Sequence, residues 1–129
     1  MARPASRHPT ELELEILKVL WRDGPATVRE VRDALAGFRD LAYTSVMTIM
    51  NIMRDKGYLK RAKQDGSYVY RPRVSEKVTT RRMLGDLVDR AFEGSAMAVM
   101  LNLLETSDID GEELEQLRTL ISRKSKEKS

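Results

Sequence analysis

The sequence predicts a mainly α chain with one small β-hairpin, made of an N-terminal helix-turn-helix unit and a C-terminal helical dimerisation region. Three observations carry this. Thr10 with Glu13 and Thr27 with Glu30 form two capping boxes, in which hydroxyl and carboxylate satisfy each other's exposed backbone donors at a helix start. Asp65-Gly66, flanked by residues 58–64 and 67–72 with their Tyr, Leu and Val, is a pair that two-residue type I′ hairpin turns favour. Of the 129 residues, 33% are charged and 5% aromatic, which suits packed helices better than a sandwich built on aromatic contacts.

Each element then follows in order. The first helix carries Leu12, Ile16, Leu17, Leu20 and Trp21 at helical spacing and stops at Gly24-Pro25; the second carries Val28, Val31, Ala34 and Leu35 and stops near Gly37. A loop over 36–42 leads to a third helix over 43–56, closed by Gly57. At roughly 100° per residue, Val46, Ile49, Met50 and Met53 form its packing face, and Thr44, Thr48, Asn51 and Asp55 the opposite one. After Gly57 the period changes to that of the hairpin, which Pro72 ends. From Ser75 a helix carries Val78, Met83, Leu84, Leu87, Val88, Ala91 and Phe92, and breaks at Gly94. Ala96, Val99, Met100, Leu103 and Leu104 mark the next, while Asp110 and Glu113 cap a last one with Leu114, Leu117, Leu120 and Ile121. Three short helices cannot bury so many apolar positions alone, so a second copy of the chain is expected to cover them as a homodimer. Residues 123–129 contain no apolar side chain and are expected to be a disordered basic tail. The boundaries are thus 1–74, 75–122 and 123–129.

Composition removes most catalytic chemistry. There is no cysteine, and the single histidine, His8, is expected in a frayed N-terminus, so disulfides, thiolate nucleophiles, zinc clusters and histidine bases are all lost. No catalytic residue, metal site or cofactor is expected. Asp108, Asp110, Glu112 and Glu113 read as acids favouring a helix dipole rather than as a calcium loop. The longest apolar run, residues 96–101, is far below the roughly 20 residues of a membrane span, and no apolar stretch follows Arg3 and Arg7. A cytoplasmic protein is expected.

The net charge of +3 is unevenly divided. Residues 1–74 hold fourteen basic and nine acidic side chains, net +5, whereas 75–129 hold nine basic and eleven acidic, net −2. Most of the first excess falls in Arg54, Lys56, Lys60, Arg61, Lys63, Arg71 and Arg73. Beside that charge lies the small polar face of the third helix. Thr44, Ser45, Thr48 and Asn51 are short enough for close approach to a major groove, where Thr and Ser bond to bases or phosphates and Asn pairs with adenine. A merely solvated face would carry Lys and Glu, which are better helix formers. Lys60, Arg61, Lys63, Arg71 and Arg73 are placed to reach flanking phosphates, although a charged hairpin edge also deters strand-to-strand aggregation. Tyr68 and Tyr70 share one hairpin face, where packing at its base and stacking on a nucleobase are both open to them.

Taken together, residues 14–21 (Leu-Glu-Ile-Leu-Lys-Val-Leu-Trp), 26–31 (Ala-Thr-Val-Arg-Glu-Val), 41–48 (Leu-Ala-Tyr-Thr-Ser-Val-Met-Thr) and 68–72 (Tyr-Val-Tyr-Arg-Pro) resemble the penicillinase and methicillin-resistance repressor family. The resemblance covers nearly the whole chain. It implies a winged-helix domain whose third helix reads an inverted-repeat operator in double-stranded DNA, with Thr44, Ser45, Met47 and Thr48 at family DNA-contact positions. It also implies dimerising C-terminal helices and, in the best-known members, a membrane-bound sensor metalloprotease that relieves repression by cleavage in that region, here at Asn102–Leu103. The cysteine cluster of related copper-responsive repressors is absent, which argues against metal sensing. No small-molecule ligand is inferred. The rival reading is a winged-helix module that binds protein partners without sequence-specific DNA binding.

Overall fold

A computed structural model describes residues 8–129; Arg3 and Arg7 lie outside them. The order is α1 (Glu11–Asp23), α2 (Val28–Leu35), α3 (Tyr43–Asp55), β1 (Leu59–Gln64), β2 (Ser67–Pro72), α4 (Glu76–Ala91), α5 (Ala96–Thr106) and α6 (Gly111–Lys128). Three helices followed by a hairpin packed against them are a winged helix, as the sequence pattern predicts. The chain divides into two compact units at Leu84–Gly85, inside α4. The expected boundary was ten residues earlier at Val74–Ser75; Thr79 of α4 is buried and belongs with the first unit.

Local chemistry sets the first unit. Thr10 and Thr27 both close the capping boxes read from the sequence, each hydroxyl accepting from the N–H of Glu13 or Glu30 at 3.2 Å. Gly57, at φ 87°, ends α3: its N–H donates to Arg54 O and the next N–H, of Tyr58, to Met53 O, the paired bonds of a Schellman motif. That reversal sends the chain straight into β1. Asp65 and Gly66 both adopt positive φ, as a type I′ turn requires, and fix the register Lys60↔Arg71, Arg61↔Tyr70 and Lys63↔Tyr68.

The core lies among α1, α2, α3 and the hairpin. Ile16, Leu17 and Leu20, Val31 and Leu35, Val46, Met50 and Met53, with Leu59 and Tyr70, are all at most 2% exposed. The buried stripe of α3 is the one its periodicity predicts, with Ile49 partly buried beside it. Ala26 pairs with Tyr70 through two backbone hydrogen bonds of 3.1 and 2.8 Å, so the α1–α2 loop adds a one-bridge third strand to the wing. The Trp21 indole N–H donates to Val74 O at 3.0 Å and ties the end of α1 to the chain leaving β2.

One buried charge escaped sequence reasoning. Glu13 is 3% exposed, and beyond accepting the Thr10 N–H it takes the Lys56 ammonium at 3.0 Å, joining the start of α1 to the end of α3. Burial, aided by this carboxylate, raises the pKa of the neighbouring Tyr58 phenol.

In the second unit no residue of α5 or α6 is buried. Met97, Met100, Leu101, Leu103, Leu104, Leu120 and Ile121 are between 51% and 65% exposed. The expected disordered tail is instead helical to Lys128. Its Lys, Arg and Glu are good helix formers that need only propagate a helix already nucleated at Asp110.

Glu13→Ala removes a cap acceptor and the carboxylate that ties the solvent-accessible Lys56 to α1, and is expected to lower the unfolding free energy by about 1–2 kcal/mol. The exposed neighbour change Glu11→Ala should shift it by less than about 0.5 kcal/mol. Urea melts of both variants, compared at constant slope, provide the check.

Candidate nucleic-acid interface

The face of α3 turned away from the core presents Tyr43, Thr44, Ser45, Met47 and Thr48, all exposed. These are small or slender apart from Tyr43. Thr48 donates its hydroxyl hydrogen to Thr44 O at 2.9 Å, which leaves the hydroxyl oxygen as an acceptor. Met47 is the α3 methionine on this face; Met50 and Met53 are fully buried.

Strand alternation sorts the wing. Arg61, Lys63, Tyr68 and Tyr70 lie on the hairpin face shared with buried Leu59, whereas Lys60 and Arg71 lie directly opposite one another on the reverse face. Lys60, Lys63 and Arg71 are exposed. Like charges facing each other across a ladder destabilise it, so the Lys60–Arg71 pair is one that an external anion would relieve.

Asn51 and Arg61 sit differently from the sequence expectation. Rather than projecting freely, Asn51 is half-buried and its Oδ1 accepts from the Tyr70 hydroxyl at 2.9 Å and from Arg61 Nη1 at 3.2 Å. Arg61, also half-buried, is within 3.2 Å of the Tyr70 hydroxyl as well, and its guanidinium carbon lies 3.9 Å from the centre of the Tyr68 ring. The guanidinium expected to meet phosphate is thus engaged inside the wing. Tyr70 is core, while Tyr68, 44% exposed, keeps a ring surface open to solvent.

A crevice of about 550 Å³ opens between the wing and the helices, with Thr27, Arg29, Tyr43, Met47, Arg61 and Tyr68 among its walls. Arg29 and Tyr43 were not singled out from the sequence. Arg29 carries a signal that could have found it: a cation in the first turn of a helix opposes the dipole, and a local rule broken without local benefit marks functional surface.

Asn102 and Leu103 lie in the middle of α5. Leu103 is 51% exposed, and Asn102 O accepts from the Thr106 hydroxyl at 2.7 Å in addition to its place in the helix. Among the described residues, no three His, Cys, Asp or Glu side chains are grouped to hold a metal ion, and no helix is long and apolar enough to cross a membrane.

Known proteins resemble the chain throughout this architecture. It is 30% identical over 114 residues to the transcriptional regulator BlaI of Mycobacterium tuberculosis, covering 87% of this chain and 81% of that one. It is 25% identical to the penicillinase repressor of Bacillus licheniformis, covering 87% and 88%. It is 21% identical to the methicillin resistance regulatory protein MecI of Mammaliicoccus sciuri, covering 87% and 91%. The family profile described as penicillinase repressor matches residues 9–123, from ahead of the first cap into the basic end of α6, and the chain belongs to the penicillinase repressor family.

Proposed function

We propose that the chain is a homodimeric transcriptional repressor that binds an inverted-repeat operator and acts in the cytoplasm on antibiotic-resistance genes of the kind its relatives are named for. The observation that carries this reading is the exposed short polar turn of α3, Thr44 to Thr48, held beside a wing whose Lys60, Lys63 and Arg71 are free to face an anion. In it, Thr44, Ser45, Met47 and Thr48 meet base edges and the wing cations meet phosphates. Tyr68 adds an exposed ring at the wing.

Dimerisation is supported by α5 and α6, whose exposed Leu and Met side chains exceed what a stable monomer leaves in water. Two subunits joined there would each place one α3 in a major groove. Proteolysis at Asn102–Leu103 by a membrane-bound metalloprotease, answering a cell-wall antibiotic, would cut the helix that supplies much of this apolar surface. Because the bond is helical, α5 must first open locally to enter a protease cleft.

Duplexes enriched from a random pool by the full-length protein should show two-fold symmetry, with half-sites about one helical turn or a multiple apart. No salt-dependent binding to any duplex would instead favour the protein-binding module. Thr48→Ala should change the preferred base at one position of each half-site by about 1–3 kcal/mol. Lys63→Ala should weaken all duplexes alike and flatten the log K against log salt slope by about 0.9 per lost contact. Leu104→Asp should give monomers in sedimentation and reduce affinity for a full operator by about 100-fold, while half-site binding changes little.

A further inference from the structure

Asn51 is on the polar face of α3, yet its carbonyl oxygen is committed to the wing. It accepts from Tyr70 of β2 at 2.9 Å and from Arg61 of β1 at 3.2 Å, and those two residues are direct cross-strand partners. Arg61 carries donors only, so the carbonyl and not the amino end of the carboxamide must face it. Both lone pairs of Oδ1 are then used. Bidentate recognition of adenine needs that same oxygen to accept from the base while the amide nitrogen donates, so this geometry leaves Asn51 no such contact.

We propose that Asn51 is a positioning residue that locks the wing to α3 through Arg61 and Tyr70, and does not itself read a base. A two-stranded hairpin has little intrinsic rigidity. Its base is held by the buried Leu59, and one step out, at the Arg61–Tyr70 pair, the buried Tyr70 ring and the Ala26 bridge hold β2 while the Asn51 bonds tie both strands to α3. Arg61, so held, lies over Tyr68, and Lys63 pairs across the ladder with Tyr68. The brace therefore fixes where the outer wing stands relative to Thr44 and Thr48. The inference rests on the DNA-binding reading above.

The test uses the full-length protein, Asn51→Ala and Asn51→Asp. Asp keeps the acceptor, whereas at a base-facing position its charge would repel DNA. Without DNA, the Arg61 side-chain proton resonances should show the ring-current shift of Tyr68 in wild type and Asn51→Asp, and lose it in Asn51→Ala. On the duplex that wild type enriches from a random pool, Asn51→Ala should lose about ten-fold in affinity with its salt slope and base preference unchanged. Asn51→Asp should recover most of that loss. Binding by Asn51→Asp weaker than by Asn51→Ala, an altered base preference in either, or an Arg61 shift that survives in Asn51→Ala would overturn the proposal. If Asn51→Ala does not fold, the shift and base preference of Asn51→Asp decide it. Failure of wild type to bind any duplex would overturn the DNA-binding reading, while the resonance shifts still judge the lock.

Discussion

Burial of the Tyr70 ring is the constraint from which the arrangement of the first unit follows. At 1% exposure the ring belongs to the core with the inward faces of α1, α2 and α3, and a buried phenol hydroxyl must find partners. Asn51 and Arg61 provide them. The residue's backbone is occupied too, since its N–H and C=O pair with Ala26 and draw the α1–α2 loop into the sheet. With one wing residue pinned by ring, hydroxyl and main chain, the two-residue period of a strand fixes the others. Tyr68 falls on the same face as Tyr70, with Lys63 across from it, and Lys60 and Arg71 fall on the reverse.

The charges of this unit make sense as a surface completed by a polyanion. Lys60 directly opposite Arg71 weakens the ladder, and Arg29 in the first turn of α2 opposes its dipole. Thr44, Ser45 and Thr48 give α3 weaker helix formers than a solvated face requires. Each choice is locally unfavourable. Phosphates would turn the first two into favourable contacts, and a groove would use the third. The core tolerates this because its stability is drawn from elsewhere, from the α3 stripe of Val46, Met50 and Met53 and from the Glu13–Lys56 pair.

The second unit poses the opposite problem, with apolar surface in excess and little to cover it. The α5 helix reads Ala-Met-Ala-Val-Met-Leu-Asn-Leu-Leu, and none of it is buried. In the proposed dimer that surface is what binds the second subunit, so the bond between Asn102 and Leu103 would sit where scission does most harm to assembly. The charged end of α6 lacks apolar residues and so has the composition of a disordered segment, yet it is helical to Lys128. Composition predicts whether a segment can build a core; it does not predict whether a helix already under way will stop, and Lys126 and Lys128 at its C-terminal end favour the dipole there.

What was legible in the sequence depended on range. Capping boxes, the Gly57 reversal and the Asp65-Gly66 turn are written in residues a few positions apart, and all formed as read. Glu13 with Lys56, 43 residues apart, and Trp21 with Val74, 53 apart, have no local signature. Asn51 is the instructive case. A helical wheel sets it on the same side as Thr44 and Thr48, but a wheel resolves angle and not height along the axis. The chain turns back at Gly57 and lays the hairpin over the later turns of α3, so the position at 51 is covered while those at 44 and 48 stay open. A face that is uniform in the sequence is therefore divided by the fold: its first turns are left to meet a partner, and the next one holds the wing that flanks them.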